Sequence, residues 1–132
     1  MSKRKKPAGT RPTEGELEIL RVLWARGPST VRDVHATLAG ARGVGTTTVL
    51  KLMQIMTDKG LLARDESVRP QIYRPARPMQ QTQRALLSDL VERVFDGSPG
   101  KLVLHALSTR RTSAEELQEI RALLERLEEE AS

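Results

Sequence analysis

Apolar residues recur along this chain at the spacings of three and four that mark amphipathic helices, and the rhythm breaks once into an extended segment. Thr13 opens the first helix with Glu16 three residues later, the capping-box pattern, and Leu17, Leu20, Leu23 and Trp24 give it one buried stripe before Gly27 and Pro28 end it. Ser29 or Thr30 caps a short second helix in which Val31, Val34 and Leu38 repeat. Gly40 to Gly45, GARGVG, reads as a turn-rich connector. A third helix is predicted from Thr46 to Lys59, burying Val49, Leu52, Met53 and Met56, with Gly60 as a left-handed cap.

The period then becomes extended. Leu61 to Asp65 and Gln71 to Tyr73 predict two short strands joined by Glu66 to Pro70, ESVRP, with Arg69 near the tip. Beyond Pro75 and Pro78 a fourth helix is predicted from Met79 to Phe95, burying Leu86, Leu87, Leu90, Val91 and Val94, and Asp96 to Gly100, DGSPG, breaks it. A brief apolar helix follows from Lys101 to Leu107. Ser113 with Glu116 then makes a second capping box before a last helix, whose Leu117, Ile120, Leu124 and Leu127 form a short seam suited to a partner helix. The expected organisation is a disordered basic arm over 1–12, a domain of three helices and a hairpin over 13–78 and a helical region over 79–132.

Composition narrows the function. The 132 residues are 30% charged and 38% hydrophobic, which suits one globular unit or two very small ones. The chain has no cysteine, so disulfides, thiolate metal sites and thiol nucleophiles are excluded and a reducing cytoplasm is expected. No apolar run approaches the roughly 18 to 20 residues needed to span a bilayer, and the basic start lacks the apolar stretch of a signal peptide. Residues 1–78 carry 15 Lys/Arg against 7 Asp/Glu, whereas 79–132 carry 7 against 10. A basic front thus precedes an acidic, Leu-rich back, the pattern of a polyanion-facing module joined to an association module. Three aromatics, Trp24, Tyr73 and Phe95, are too few to build a stacking platform for single strands, so duplex DNA is the expected polyanion. Trp24 is expected to anchor the core and Tyr73 to pack the hairpin.

Three helices followed by a hairpin describe a winged helix-turn-helix, mainly α with a small β-hairpin, in which the third helix enters the major groove. If Val49, Leu52, Met53 and Met56 face inward, a rotation of about 100° per residue turns Thr47, Thr48, Leu50, Lys51 and Gln54 outward. Gln pairs with adenine, Lys bonds guanine or phosphate, and Thr offers a hydroxyl and a methyl. Thr46, Thr47, Thr48, Lys51 and Gln54 are therefore the candidate base contacts. A run of three threonines at a helix start has poor helix propensity, so folding alone does not favour it. Candidate phosphate contacts are Ser29 and Thr30 at the second helix, Arg42 before the third, and Arg64 and Arg69 in the wing. Catalysis is not expected: His35 and His105 sit in no ligand or nucleophile motif, and Asp65 and Glu66 read as turn residues. No metal or cofactor is expected. The competing reading is a sequence-nonspecific architectural nucleic-acid-binding protein, for which the basic front would suffice; a protein-binding adaptor is disfavoured by the exposed Thr and Arg groups.

The runs PTEGELEILRVLWARGPSTVRDVHATL, TTTVLKLMQIMTDKGLLARDE, IYRP, FDGSPGKLVLHAL and EELQEIRALLERL, in that order, resemble the penicillinase repressor family, which includes the methicillin-resistance and copper-transport repressors. The resemblance covers roughly residues 10 to 128. It implies a homodimeric winged-helix repressor on an inverted-repeat DNA operator, held together by C-terminal helices. Thr47, Thr48, Lys51 and Gln54 match its groove-facing positions, and Arg69 falls in its wing. The dimerisation surface is then expected from Leu90, Val94, Leu102, Leu104, Leu117, Ile120, Leu124 and Leu127. Two departures stand out. The copper branch has a C-terminal cysteine metal site that a chain without cysteine cannot form. In the penicillinase branch a membrane sensor metalloprotease triggers cleavage between an Asn and a Phe, and this chain has His105 and Ala106 at about that place, so the resemblance implies the region but not the bond.

Overall fold

The computed structural model describes residues 11–42 and 45–132, with the side chains of residues 39–42 outside the described part. The expected basic arm lies outside it up to residue 10, and so does the side chain of Arg42. Among the described residues, six helices and two strands follow in the order α1 (Glu14–Arg26), α2 (Val31–Arg42), α3 (Thr46–Asp58), β1 (Leu62–Asp65), β2 (Ile72–Pro75), α4 (Met79–Val94), α5 (Pro99–Thr109) and α6 (Ala114–Ala131). The chain forms two compact units, one ending at Leu87 and one beginning at Ser88.

In the first unit the start of α1 is fixed by both arms of a capping box: the Glu16 amide donates to Thr13 Oγ1 at 3.2 Å, and the Thr13 amide donates to Glu16 Oε1 at 2.9 Å. Together they satisfy two backbone donors that a helix end leaves open. α2 is capped in the same manner by Thr30 and Asp33. It runs through Arg42, so the expected glycine connector begins later than its sequence suggests. α3 ends with Gly60 at φ +85°, a left-handed conformation open to glycine at little cost, and the Leu61 amide donates back to the Met56 carbonyl at 2.8 Å.

The core joins α1, α2, α3 and the hairpin. Ile19, Leu20, Val22 and Leu23 of α1 meet Val34, Val49, Met53, Met56, Leu62 and Tyr73. The predicted stripe on α1 needs correction: Leu17 and Trp24 are half-buried, while Ile19 and Val22 are in the core. The cause is that α1 packs against α2, α3 and β2 at once, so it buries a wider arc than a single-sided helix. Trp24 instead lines a cleft of about 480 Å³ with Leu17, Arg21, Ala25, Met79, Gln83 and Leu86.

The hairpin pairs antiparallel in the register Leu62 to Pro75, Ala63 to Arg74, Arg64 to Tyr73 and Asp65 to Ile72. Its turn is held by Asp65, whose Oδ1 accepts from the Ser67 hydroxyl at 2.6 Å and from the Ser67 amide at 3.0 Å. These hydrogen bonds, the hydroxyl first, hold the Asp65 carboxyl below the usual carboxylate range. A single-residue bridge extends the hairpin: Ser29 and Tyr73 exchange both backbone hydrogen bonds, at 3.0 and 2.8 Å. Ser29 thereby ties the α1–α2 link to the wing.

In the second unit Asp96 and Gly97, both at positive φ, turn the chain, and Ser98 caps α5 by accepting from the Lys101 amide at 3.1 Å. Ser113 caps α6 by accepting from the Glu116 amide at 3.0 Å. Of the apolar residues expected to be buried in α4, Val91 is buried and Leu86 is half-buried. Leu87, Leu90 and Val94 are exposed in the single chain.

Candidate nucleic-acid interface

The site is built on α3, whose two sides differ. Val49, Met53 and Met56 are buried and Leu52 packs partly against the core, which fixes the rotation of the helix. Thr46, Thr47, Thr48, Leu50, Lys51 and Gln54 are then exposed. The outward set is the one expected from helical rotation, because the inward methionines and valine allow only one seating. Ile55, which the sequence reading passed over, is exposed on the same side, as is Asp58 at its C-terminal end. At the N-terminus of α3, Gly45 provides no side-chain cap.

The far end of α3 is tied down. Lys59 Nζ lies 2.7 Å from Glu16 Oε1, and Glu16 is 2% exposed. One carboxylate therefore serves both the capping box of α1 and the cation that follows α3. A carboxylate buried this deeply is tolerated because it accepts from a cation and an amide.

The expected phosphate contacts fare differently. Ser29 is buried, and its hydroxyl donates to the Gly27 carbonyl at 2.9 Å, so its side chain already has a structural partner. Thr30 Oγ1 accepts from the Asp33 amide at 3.1 Å, and the Asp33 carboxylate sits in the same turn, 3.8 Å from Arg26. Arg64 is paired with Glu66 at 2.8 Å. A hydrogen bond to Tyr73, and then that pairing with Glu66, raise its guanidinium above its ordinary range. Arg69 is exposed in the loop between the strands. Arg32 on α2 and Arg74 on β2, which the sequence reading left aside, are exposed as well. Spacing alone could have found Arg74, since it alternates with the inward Tyr73.

The second unit presents apolar side chains without cover in the single chain. Leu90, Val94, Leu104, Leu117, Leu124 and Leu127 are exposed, while Leu102 and Ile120 are half-buried. Val103, Leu107 and Leu123 extend this set beyond the expected residues, and Leu87, at the end of the first unit, is exposed as well. His105 and Ala106 lie exposed inside α5, with the His105 ring 5.9 Å from that of Phe95. Among the described residues no helix is long and apolar enough to cross a membrane.

Residues 12–126 match the family profile described as Penicillinase repressor. The chain is 30% identical over 118 residues to the transcriptional regulator BlaI of Mycobacterium tuberculosis strains CDC 1551 / Oshkosh and H37Rv, an alignment spanning 86% of this chain and 84% of the relative. A MarR family protein from Bacillus stearothermophilus superposes with a TM-score of 0.48 at 20% identity, covering 90% of this chain and 74% of that one. With three helices and a hairpin in winged-helix order, and a family match across nearly its whole length, the chain belongs to the penicillinase repressor family of DNA-binding transcriptional regulators and is not an enzyme.

Proposed function

We propose that this protein is a homodimeric repressor that reads an inverted-repeat operator with α3 and sets its wing on the flanking backbone. The observation that carries the proposal is the outward face of α3, where Thr47, Thr48, Lys51 and Gln54 stand exposed on a helix whose other side is locked into the core. These groups supply the hydroxyl, amide and ammonium chemistry that base edges in the major groove answer. Thr46 is assigned to the same face, and Thr30, Arg64 and Arg69 to phosphates, with Arg69 the strongest because its guanidinium stands exposed at the wing.

Two copies are joined through α4, α5 and α6. Each large aliphatic side chain moved from water into such an interface contributes about 1.5 to 3 kcal/mol, and α6 buries no residue within its own chain. Pairing also lets the second reading head bind at high effective concentration once the first has docked, so affinity depends on the dimer. The region around His105 and Ala106 is where proteolysis, triggered by a membrane sensor metalloprotease, would sever the dimer surface and release DNA. The site of action is the cytoplasm.

Selection of duplexes from a randomised pool, followed by fluorescence anisotropy and sedimentation of the free protein, tests this reading. A palindromic site bound by two chains, at least a thousandfold tighter than bulk DNA, is the expected result. Equal affinity for all duplexes would replace the repressor with a sequence-nonspecific architectural protein, and a monomer at micromolar concentration would remove the dimer.

A further inference from the structure

Leu50 and Ile55 are 37% and 41% exposed on α3, the helix assigned to the major groove. Single aliphatic side chains at a surface are ordinary. Their placement on this helix is not random with respect to the polar strip. Taking Leu50 as zero and about 100° per residue, Gln54 falls near 40°, Thr47 near 60°, Lys51 near 100°, Ile55 near 140° and Thr48 near 160°. Gln54, Thr47 and Lys51 thus run down the middle of the outward face with one large aliphatic side chain towards each side of them, while Thr48 lies about 20° beyond Ile55 and Thr46 about 40° beyond Leu50.

A helix seated in the major groove meets the base edges along the groove floor, with its two flanks towards the two strands. The apolar group that the base pairs expose there is the C5 methyl of thymine. Leucine and isoleucine carry no hydrogen-bonding atoms, so against any other base edge they would cover donors or acceptors without replacing their water partners. Resting on the reading of α3 as the groove helix, we infer that Leu50 and Ile55 are specificity-determining residues that select thymine methyls, one on each strand of every half-site.

The test uses the full chain and a duplex selected from a randomised pool. Each thymine of both half-sites is replaced in turn by deoxyuridine, which removes only the methyl. The wild-type Kd rises about three- to tenfold at one thymine on each strand. Leu50→Ala removes the sensitivity at one of them and Ile55→Ala at the other, both variants keeping the helical circular-dichroism signal. A selected half-site lacking such thymines, a wild-type Kd indifferent to every deoxyuridine, or sensitivities that persist unchanged in both variants each overturn the inference while leaving the repressor reading intact. Failure to select any duplex overturns both. If either variant does not fold, the deoxyuridine scan of the wild-type protein decides.

Discussion

The ammonium of Lys59 sits 2.7 Å from the carboxylate of Glu16, which also closes the capping box on Thr13. The first turn of α1 and the residue that ends α3 are thereby held by one acidic group. Glu16→Ala removes both functions and leaves a cation without its partner. It should destabilise the first unit by about 2 to 3 kcal/mol, less than a fully enclosed pair because the Lys59 side chain is 27% exposed. Lys59→Met alone should also destabilise, and adding it to Glu16→Ala should cost less than the sum of the two single losses. Urea denaturation of the four proteins as a double-mutant cycle measures the coupling, and strict additivity would show that the two residues do not act together.

Leu117 and Leu124 stand exposed on the seam of α6. Leu117→Asp with Leu124→Asp places charge where the partner copy is proposed to pack, and should give a folded monomer whose operator affinity falls by at least a hundredfold. Sedimentation and anisotropy on the same sample check it. Tight binding by a proven monomer would reject the coupling of dimerisation to DNA release.

Base-reading and backbone-binding residues should separate in kind. Lys51→Ala and Gln54→Ala each reduce discrimination between the selected site and mismatched duplexes by roughly 1 to 3 kcal/mol. Arg69→Ala weakens all duplexes alike and lowers the slope of log K against log salt by about one. Arg64→Ala should change that slope less, since this guanidinium is already paired with Glu66. An Arg69 effect that varied with operator sequence would reverse the assignment.

The wing turn depends on an ionised Asp65. Its carboxyl titrates below the usual range in the folded protein because Ser67 donates to it twice, so the contribution is complete above the unfolded carboxyl value and is lost as pH falls through the lower folded one. Asp65→Asn should raise amide exchange at Ser67 at neutral pH and flatten the acid-side change in exchange seen for the wild-type turn. Identical profiles for the two proteins would show that the turn is held by other means.

What the sequence determined by itself was local. The capping residues Thr13, Thr30 and Ser113, the left-handed Gly60 and the inward row of Val49, Met53 and Met56 follow from rules acting within one or two turns, and these suffice to orient Thr47, Lys51 and Gln54 outward. Tertiary structure decided whatever depends on partners distant along the chain. Ser29 has the composition of a helix cap, yet its pairing with Tyr73 makes it a joint of the wing. Glu16 reads as half of a capping box, and only the folding of α3 beside α1 brings Lys59 to it. Arg64 and Arg69 are equal as letters, but a cross-strand tyrosine and a neighbouring glutamate engage one and leave the other exposed in the loop. Periodicity records which face of an element is apolar; which surface meets that face is fixed by long-range packing, which spacing along the chain does not encode.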